Sequence, residues 1–135
     1  MDRKSVFLTY AMSDKEFAQG LADKIRAKGI EISFDPLIGI ASGESWAQTI
    51  RKAIEKSSAV VAILPLSGTR GSNNTFFEIG LARALNKKVL AVSPDRASSE
   101  DRQIPSDLLD LLVLDGANQP ADFIVDTLTQ ALLAA

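Results

Sequence analysis

A chain of 135 residues without a single histidine or cysteine cannot build a Ser-His-Asp triad, a thiol nucleophile, a disulfide or a Cys/His metal site. Its 15 basic and 17 acidic residues are intermixed to a formal net charge of −2, which offers no basic stripe to a polyanion, so no nucleic-acid partner is expected. With 46% hydrophobic and 24% charged residues, the length suits one domain spanning residues 1–135.

The N-terminus lacks the apolar stretch of a signal peptide, and no apolar segment approaches the roughly 18 residues of a membrane span. A cytoplasmic location and no membrane partner are the corresponding expectations. No acidic cluster is spaced for Mg²⁺, so no metal is expected, and acid chemistry falls to individual carboxylates.

In chain order, residues 5–10 read as a first strand. Ser13-Asp14-Lys15-Glu16 has the spacing of a capping box, with Ser13 as N-cap. Phe17, Leu21 and Ile25 follow at helical spacing, and Lys28-Gly29 stops that helix. Ile30, Ile32 and Phe34 alternate with Glu31 and Ser33, the pattern of a half-buried edge strand. After a loop over 35–44, Ser45-Trp46-Ala47-Gln48 is a second capping box, opening a helix with Trp46, Ile50, Ala53 and Ile54 on one face. Residues 59–64 are continuously apolar, as in a central parallel strand covered on both sides.

A Gly/Ser/Arg loop then leads to Thr75-Phe76-Phe77-Glu78, a third capping box, which puts Glu78 on the first turn of a helix carrying Phe77, Leu81 and Leu85 at spacing four. A fourth strand is expected at 89–92, a polar, Pro-punctuated loop at 93–106 and a short fifth strand at 111–114. Pro120 starts the last helix, with Phe123, Leu128 and Leu132 among its buried positions.

Five strands alternating with helices imply an α/β fold: a flavodoxin-like, doubly wound, five-stranded parallel sheet of order 2-1-3-4-5 with helices on both faces. Right-handed crossovers put the topological switch point between strands 1 and 3, where ligands bind outside the carboxyl ends of the strands. Segments 10–14, 35–44 and 65–78 converge there, and Glu78 is the carboxylate among them best placed for chemistry. A phospho-accepting receiver domain shares this architecture, but its Asp at the end of strand 3 is replaced here by Leu64-Pro65-Leu66-Ser67.

Phe7-Leu8-Thr9-Tyr10-Ala11-Met12-Ser13-Asp14 resembles the opening strand-loop motif of TIR (Toll/interleukin-1 receptor) domains. Asp35 and the stretch Ala41-Ser42-Gly43-Glu44-Ser45-Trp46 are similar to that family's second-strand Asp and the motif after its BB loop, and Ala53-Ile54-Glu55-Lys56-Ser57 continues the match. Glu78 falls where the catalytic Glu of NAD-cleaving members falls. The likeness extends over about residues 6–92, and more loosely beyond. Asn74 stands where the family often has an aromatic residue, and residues 73–89 also resemble nucleoside 2-deoxyribosyltransferases. Both groups act on N-glycosidic bonds, so the substrate stays open between them.

The resemblance implies an NAD⁺ glycohydrolase or ADP-ribosyl cyclase of the bacterial type, with NAD⁺ as substrate, no resident cofactor, and other TIR domains as partners through self-association. It points to Glu78 as catalytic, and to Tyr10, Ala11, Met12, Ser13, Asp35, Arg70 and Asn74 as candidate substrate contacts. Each has a plainer alternative. Glu78 completes a capping box, and the two roles compete for one side chain. Arg70 either meets a phosphate near the helix N-terminus or is an exposed loop arginine. Tyr10 either flanks the base or packs at a strand end. Ser13 is most simply a cap, and the spacing of Trp46 to Ile50 and Ile54 favours core packing over stacking on a ligand. Leu37, Ile38 and Ile40 are costly to leave in water. That loop either folds back on its own domain or docks on a neighbouring copy, as it does in TIR assemblies. A non-enzymatic TIR interaction module and a deoxyribosyltransferase-like N-glycosidase remain the alternatives.

Overall fold

The computed structural model describes residues 4–34, 46–64, 72–94, 113–115 and 121–133. In chain order these form β1 (Ser5–Thr9), α1 (Lys15–Ala27), β2 (Glu31–Phe34), α2 (Trp46–Lys56), β3 (Ala59–Ile63), α3 (Ser72–Ala84), β4 (Lys88–Ser93), β5 (Val113–Asp115) and α4 (Ala121–Leu133). The five strands make one parallel sheet in the order β2-β1-β3-β4-β5, as the strand-helix alternation predicts. Every residue of β3 is buried, which accounts for its unbroken apolar run.

Side-chain alternation along the strands divides the core into two layers. Val6 and Leu8 of β1 and Val61 and Ile63 of β3 pack with Leu21 and Ile25 of α1 and Ile124 and Leu128 of α4. Phe7 and Val60 point the other way, towards Ile50 and Ile54 of α2 and Ala82 of α3. Ala62, Leu64 and Ala91 continue that second layer against Ile79 of α3. Helices thus cover both faces, with α1 and α4 on one side and α2 and α3 on the other.

The ends of the helices show which local signals operate. At Gly29 the chain enters the left-handed region with φ of 85°, and the Gly29 N–H donates to the Arg26 carbonyl at 2.9 Å, closing α1 as expected. Helix α3 ends on a Schellman motif: Asn86 takes φ of 59°, its N–H donates to the Arg83 carbonyl, and the Lys87 N–H donates to the Ala82 carbonyl. The start of α1 departs from expectation. A 3-10 turn over Met12–Asp14, closed by the Asp14 N–H on the Ala11 carbonyl, precedes the helix, and Asp14 rather than Ser13 occupies the cap position, without a side-chain cap hydrogen bond.

Two further expectations are corrected. Phe123 is 49% exposed, because the buried stripe of α4 is Ile124, Val125, Leu128 and Leu132; Phe123 lies five residues from Leu128, off that stripe. Phe77 is 44% exposed and Leu81 and Leu85 are only half-buried. The face of α3 that meets the sheet is Thr75, Glu78, Ile79 and Ala82, at spacings of three and four. That stripe is made of a hydroxyl, an acid and small or single apolar residues, so the run of larger apolar side chains pointed to its neighbour.

Candidate active site

The crevice position follows from the topology. Thr9, the last residue of β1, lies beside Ala62 of β3. From β1 the chain passes to α1 on one face; from β3 it passes to α3 on the other. The first turn of α3 therefore stands at the carboxyl edge of the sheet, over the gap between the two central strands.

Thr75 joins the two walls. Its hydroxyl lies 3.3 Å from the Thr9 hydroxyl in a buried hydrogen bond, with Thr9 at 0% and Thr75 at 1% exposure. Because α3 begins at Ser72, Thr75 is inside the helix and is not its cap. The capping-box reading of Thr75 and Glu78 is thereby corrected: Glu78 belongs to the second turn, where it does not reach a free N–H at the helix start.

Glu78 follows Thr75 by three residues on the same face, about 4.5 Å further along the axis. It is 0% exposed, and both carboxylate oxygens are inaccessible to solvent. Among the described residues it is the one acidic or basic side chain that is fully buried. The carboxylate thus lies beneath the rim of the crevice, between helix and sheet, rather than at an open mouth.

The other predicted site residues are distributed as follows. Ala11 is buried just past β1, and its carbonyl closes the 3-10 turn. Met12 opens that turn, and Ser13 is exposed on it. Tyr10 is half-buried against the α1/α4 layer, the face of the sheet opposite α3, which matches the strand-end alternative. Asn74 lies in the first turn of α3. Asp35, Arg70, Leu37, Ile38 and Ile40 fall outside the described residues. Sequence did not mark Thr9 as a site residue and read Thr75 only as a cap; the available signal for Thr9 was a hydroxyl closing the otherwise apolar end of a strand.

Among the described residues there is no cluster of acidic groups able to hold a metal ion, and no helix is long and apolar enough to cross a membrane. A groove between α1 and α4 is lined by Lys24, Lys28, Asp122 and Asp126. The ion pairs Lys24–Asp122 at 2.9 Å and Lys28–Asp126 at 3.3 Å tie the two helices across it.

A 2-desoxiribosyltransferase from Leishmania mexicana is similar in structure, with a TM-score of 0.67 at 16% identity over 91% of this chain and 97% of that one. The TIR domain of the Toll-related receptor TRR-2 from Hydra magnipapillata gives 0.65 at 19% identity, covering 94% of this chain and 96% of its own. The RPS4 and RRS1 TIR domain heterodimer gives 0.64 at 15% identity, covering 98% and 97%. At such identities the likeness is one of fold. Among curated proteins none matches the sequence. The sequence pattern of the TIR domain matches residues 6–132, and this chain belongs to the TIR domain family.

Proposed function

We propose that this TIR domain cleaves the bond between nicotinamide and ribose C1′ of NAD⁺, with Glu78 as the catalytic carboxylate. The observation that carries the reading is the burial of Glu78 on the sheet-facing side of α3, one turn past the contact with the end of β1. Taking a carboxylate out of water is costly even where it is paired, so packing supplies no reason to keep an acid there. Helix capping supplies none either, since α3 starts six residues earlier, at Ser72.

The chemistry needs little else. When the C1′–N bond breaks, its electron pair stays on the pyridinium nitrogen and nicotinamide departs neutral, so no general acid is required. One carboxylate beside the sugar accepts hydrogen bonds from the 2′- and 3′-hydroxyls and opposes the positive charge developing on the ribose. Water attacking C1′ and losing a proton gives ADP-ribose; attack by a group within the nucleotide gives a cyclic product. The fold shared with a deoxyribosyltransferase supports an N-glycosidic reaction on this scaffold.

Glu78 with no exposed surface does not touch ribose, so turnover requires displacement of what covers it. Self-association is the proposed trigger, within bacterial antiviral defence or virulence signalling; the RPS4 and RRS1 TIR domain heterodimer supports association between domains of this fold. The test is to incubate concentrated protein with NAD⁺, with and without a crowding agent, and to follow nicotinamide release. Glu78→Gln, which keeps shape and removes charge, is expected to lower turnover by about 10²–10³-fold with folding unchanged. Absence of release from wild-type protein in every assembled state refutes the reading.

A second reading, a non-enzymatic module that recruits other TIR domains, needs no access of a substrate to Glu78, which has no exposed surface. Binding of a second TIR domain with no nicotinamide release, in wild type as in Glu78→Gln, selects it. Turnover of deoxynucleosides but not of NAD⁺ selects the deoxyribosyltransferase-like alternative.

A further inference from the structure

We infer that the buried hydroxyl pair Thr9–Thr75 sets the position of the Glu78 carboxylate, so that Thr75 and Thr9 are positioning residues; this rests on the reading of Glu78 as the catalytic group. Hydroxyls elsewhere turn back on a helix backbone: in α4 Thr127 donates to the Phe123 carbonyl at 2.9 Å and Thr129 to the Val125 carbonyl at 2.8 Å, and just past α2 Ser57 donates to the Ala53 carbonyl at 2.8 Å. Thr75 is in the first turn of α3, and its hydroxyl also meets the sheet, accepting from the Thr9 hydroxyl at the end of β1.

That contact is directional where its neighbours are not. The remaining apolar contacts of this face run from Ile79 and Ala82 to Phe7, Val60, Ala62, Leu64 and Ala91, several of them small. Apolar burial is non-directional and tolerates small rotations of a helix over small side chains. A hydrogen bond between a strand end and the first turn fixes both the depth and the rotation of α3. Glu78 shares that face one turn on, so a rotation of about 15° moves a group about 5–6 Å from the axis by about 1.5 Å. A misplacement of about 1 Å at a reacting centre can cost 10²-fold in rate.

The test breaks the contact and restores it. Thr9→Val and Thr75→Val each remove one side of the pair at nearly constant shape, and the double variant removes both. Urea unfolding reports what each variant costs in stability. A merely structural role predicts that every variant still folded under assay conditions turns over as wild type. Positioning predicts a folded double variant whose kcat is about 10- to 100-fold lower with KM within about twofold, while Thr75→Ser retains wild-type kcat. A second readout does not depend on activity: the side-chain carboxyl ¹³C resonance of Glu78, one of six glutamates, assigned by its loss in Glu78→Gln, should shift in the double variant and not in Thr75→Ser. A double variant with wild-type kcat and an unmoved Glu78 resonance overturns the inference. A moved resonance in a protein that never releases nicotinamide upholds the positioning role and refutes the enzymatic reading.

Discussion

Replacing Ile79 and Phe77 one at a time by alanine tests which face of α3 meets the sheet, and therefore whether Glu78 is buried, without any substrate. Ile79 is 0% exposed and packs among Ala62, Leu64 and Ala91. Cutting it to alanine leaves a cavity whose small neighbours have little side chain to move into it, and the expected loss is about 2–5 kcal/mol. Phe77 is 44% exposed. Full burial of such a side chain contributes about 1.5–3 kcal/mol, so the part buried here contributes about 1 kcal/mol. Alanine's better helix propensity returns about half of that, leaving a net cost near 0.5 kcal/mol. Urea unfolding followed by circular dichroism separates the two. With a slope of about 1–3 kcal/mol per molar, Ile79→Ala should lower the midpoint by about 1 M or more and Phe77→Ala by a few tenths. The reverse order of costs would mean that α3 is rotated by about 100°–200° from the setting described, carrying Glu78 off the sheet, and the burial argument for its role would fail.

Gly29→Ala should destabilise by about 1–2 kcal/mol in thermal melts through backbone strain alone, because φ is 85° while no atom lies within 4 Å of the added Cβ; Gly29→Asn should cost less. The pKa of Asp122 is lowered, first by its hydrogen bond from Lys24 and then by the charge of Lys24. A depressed folded-state pKa favours folding at pH values above the ordinary aspartate range, and that contribution is lost as pH falls through the lowered value. In an NMR titration the Asp122 carboxyl should therefore titrate below an ordinary exposed aspartate, and Lys24→Met should move it upward; an unchanged midpoint in Lys24→Met refutes the pairing.

The fold was readable from sequence because its determinants are periodic. The unbroken run at residues 59–63 identifies a strand covered on both faces, the alternation around Ile32 identifies an edge, and the strand-helix rhythm forces the crossover topology. Helix starts were less legible. Ser13 and Thr75 have cap chemistry at cap spacing, yet a 3-10 turn displaces the first and an extra turn of helix swallows the second. The facing of α3 was misread for a related reason. Apolar residues occur all round this helix, and its buried stripe includes Thr75 and Glu78, so hydrophobic spacing selected Phe77. The place of α3 at the switch point was legible, but the complete burial of Glu78 was not. Asn86 carries a readable signal, an asparagine able to adopt the left-handed conformation after the last apolar residue of a helix.

Thr9 and Thr75 stand 66 residues apart along the chain, and that separation has a kinetic meaning. During synthesis β1 emerges first of the two, its inner neighbour β3 follows some fifty residues later, and the helix bearing the carboxylate later still. Closing so long a loop costs entropy before burial repays it, which slows folding relative to domains built from local contacts. The two walls of the crevice therefore cannot meet until α3 has been made. A nascent chain ending before residue 72 lacks α3, and with it one whole wall of the crevice.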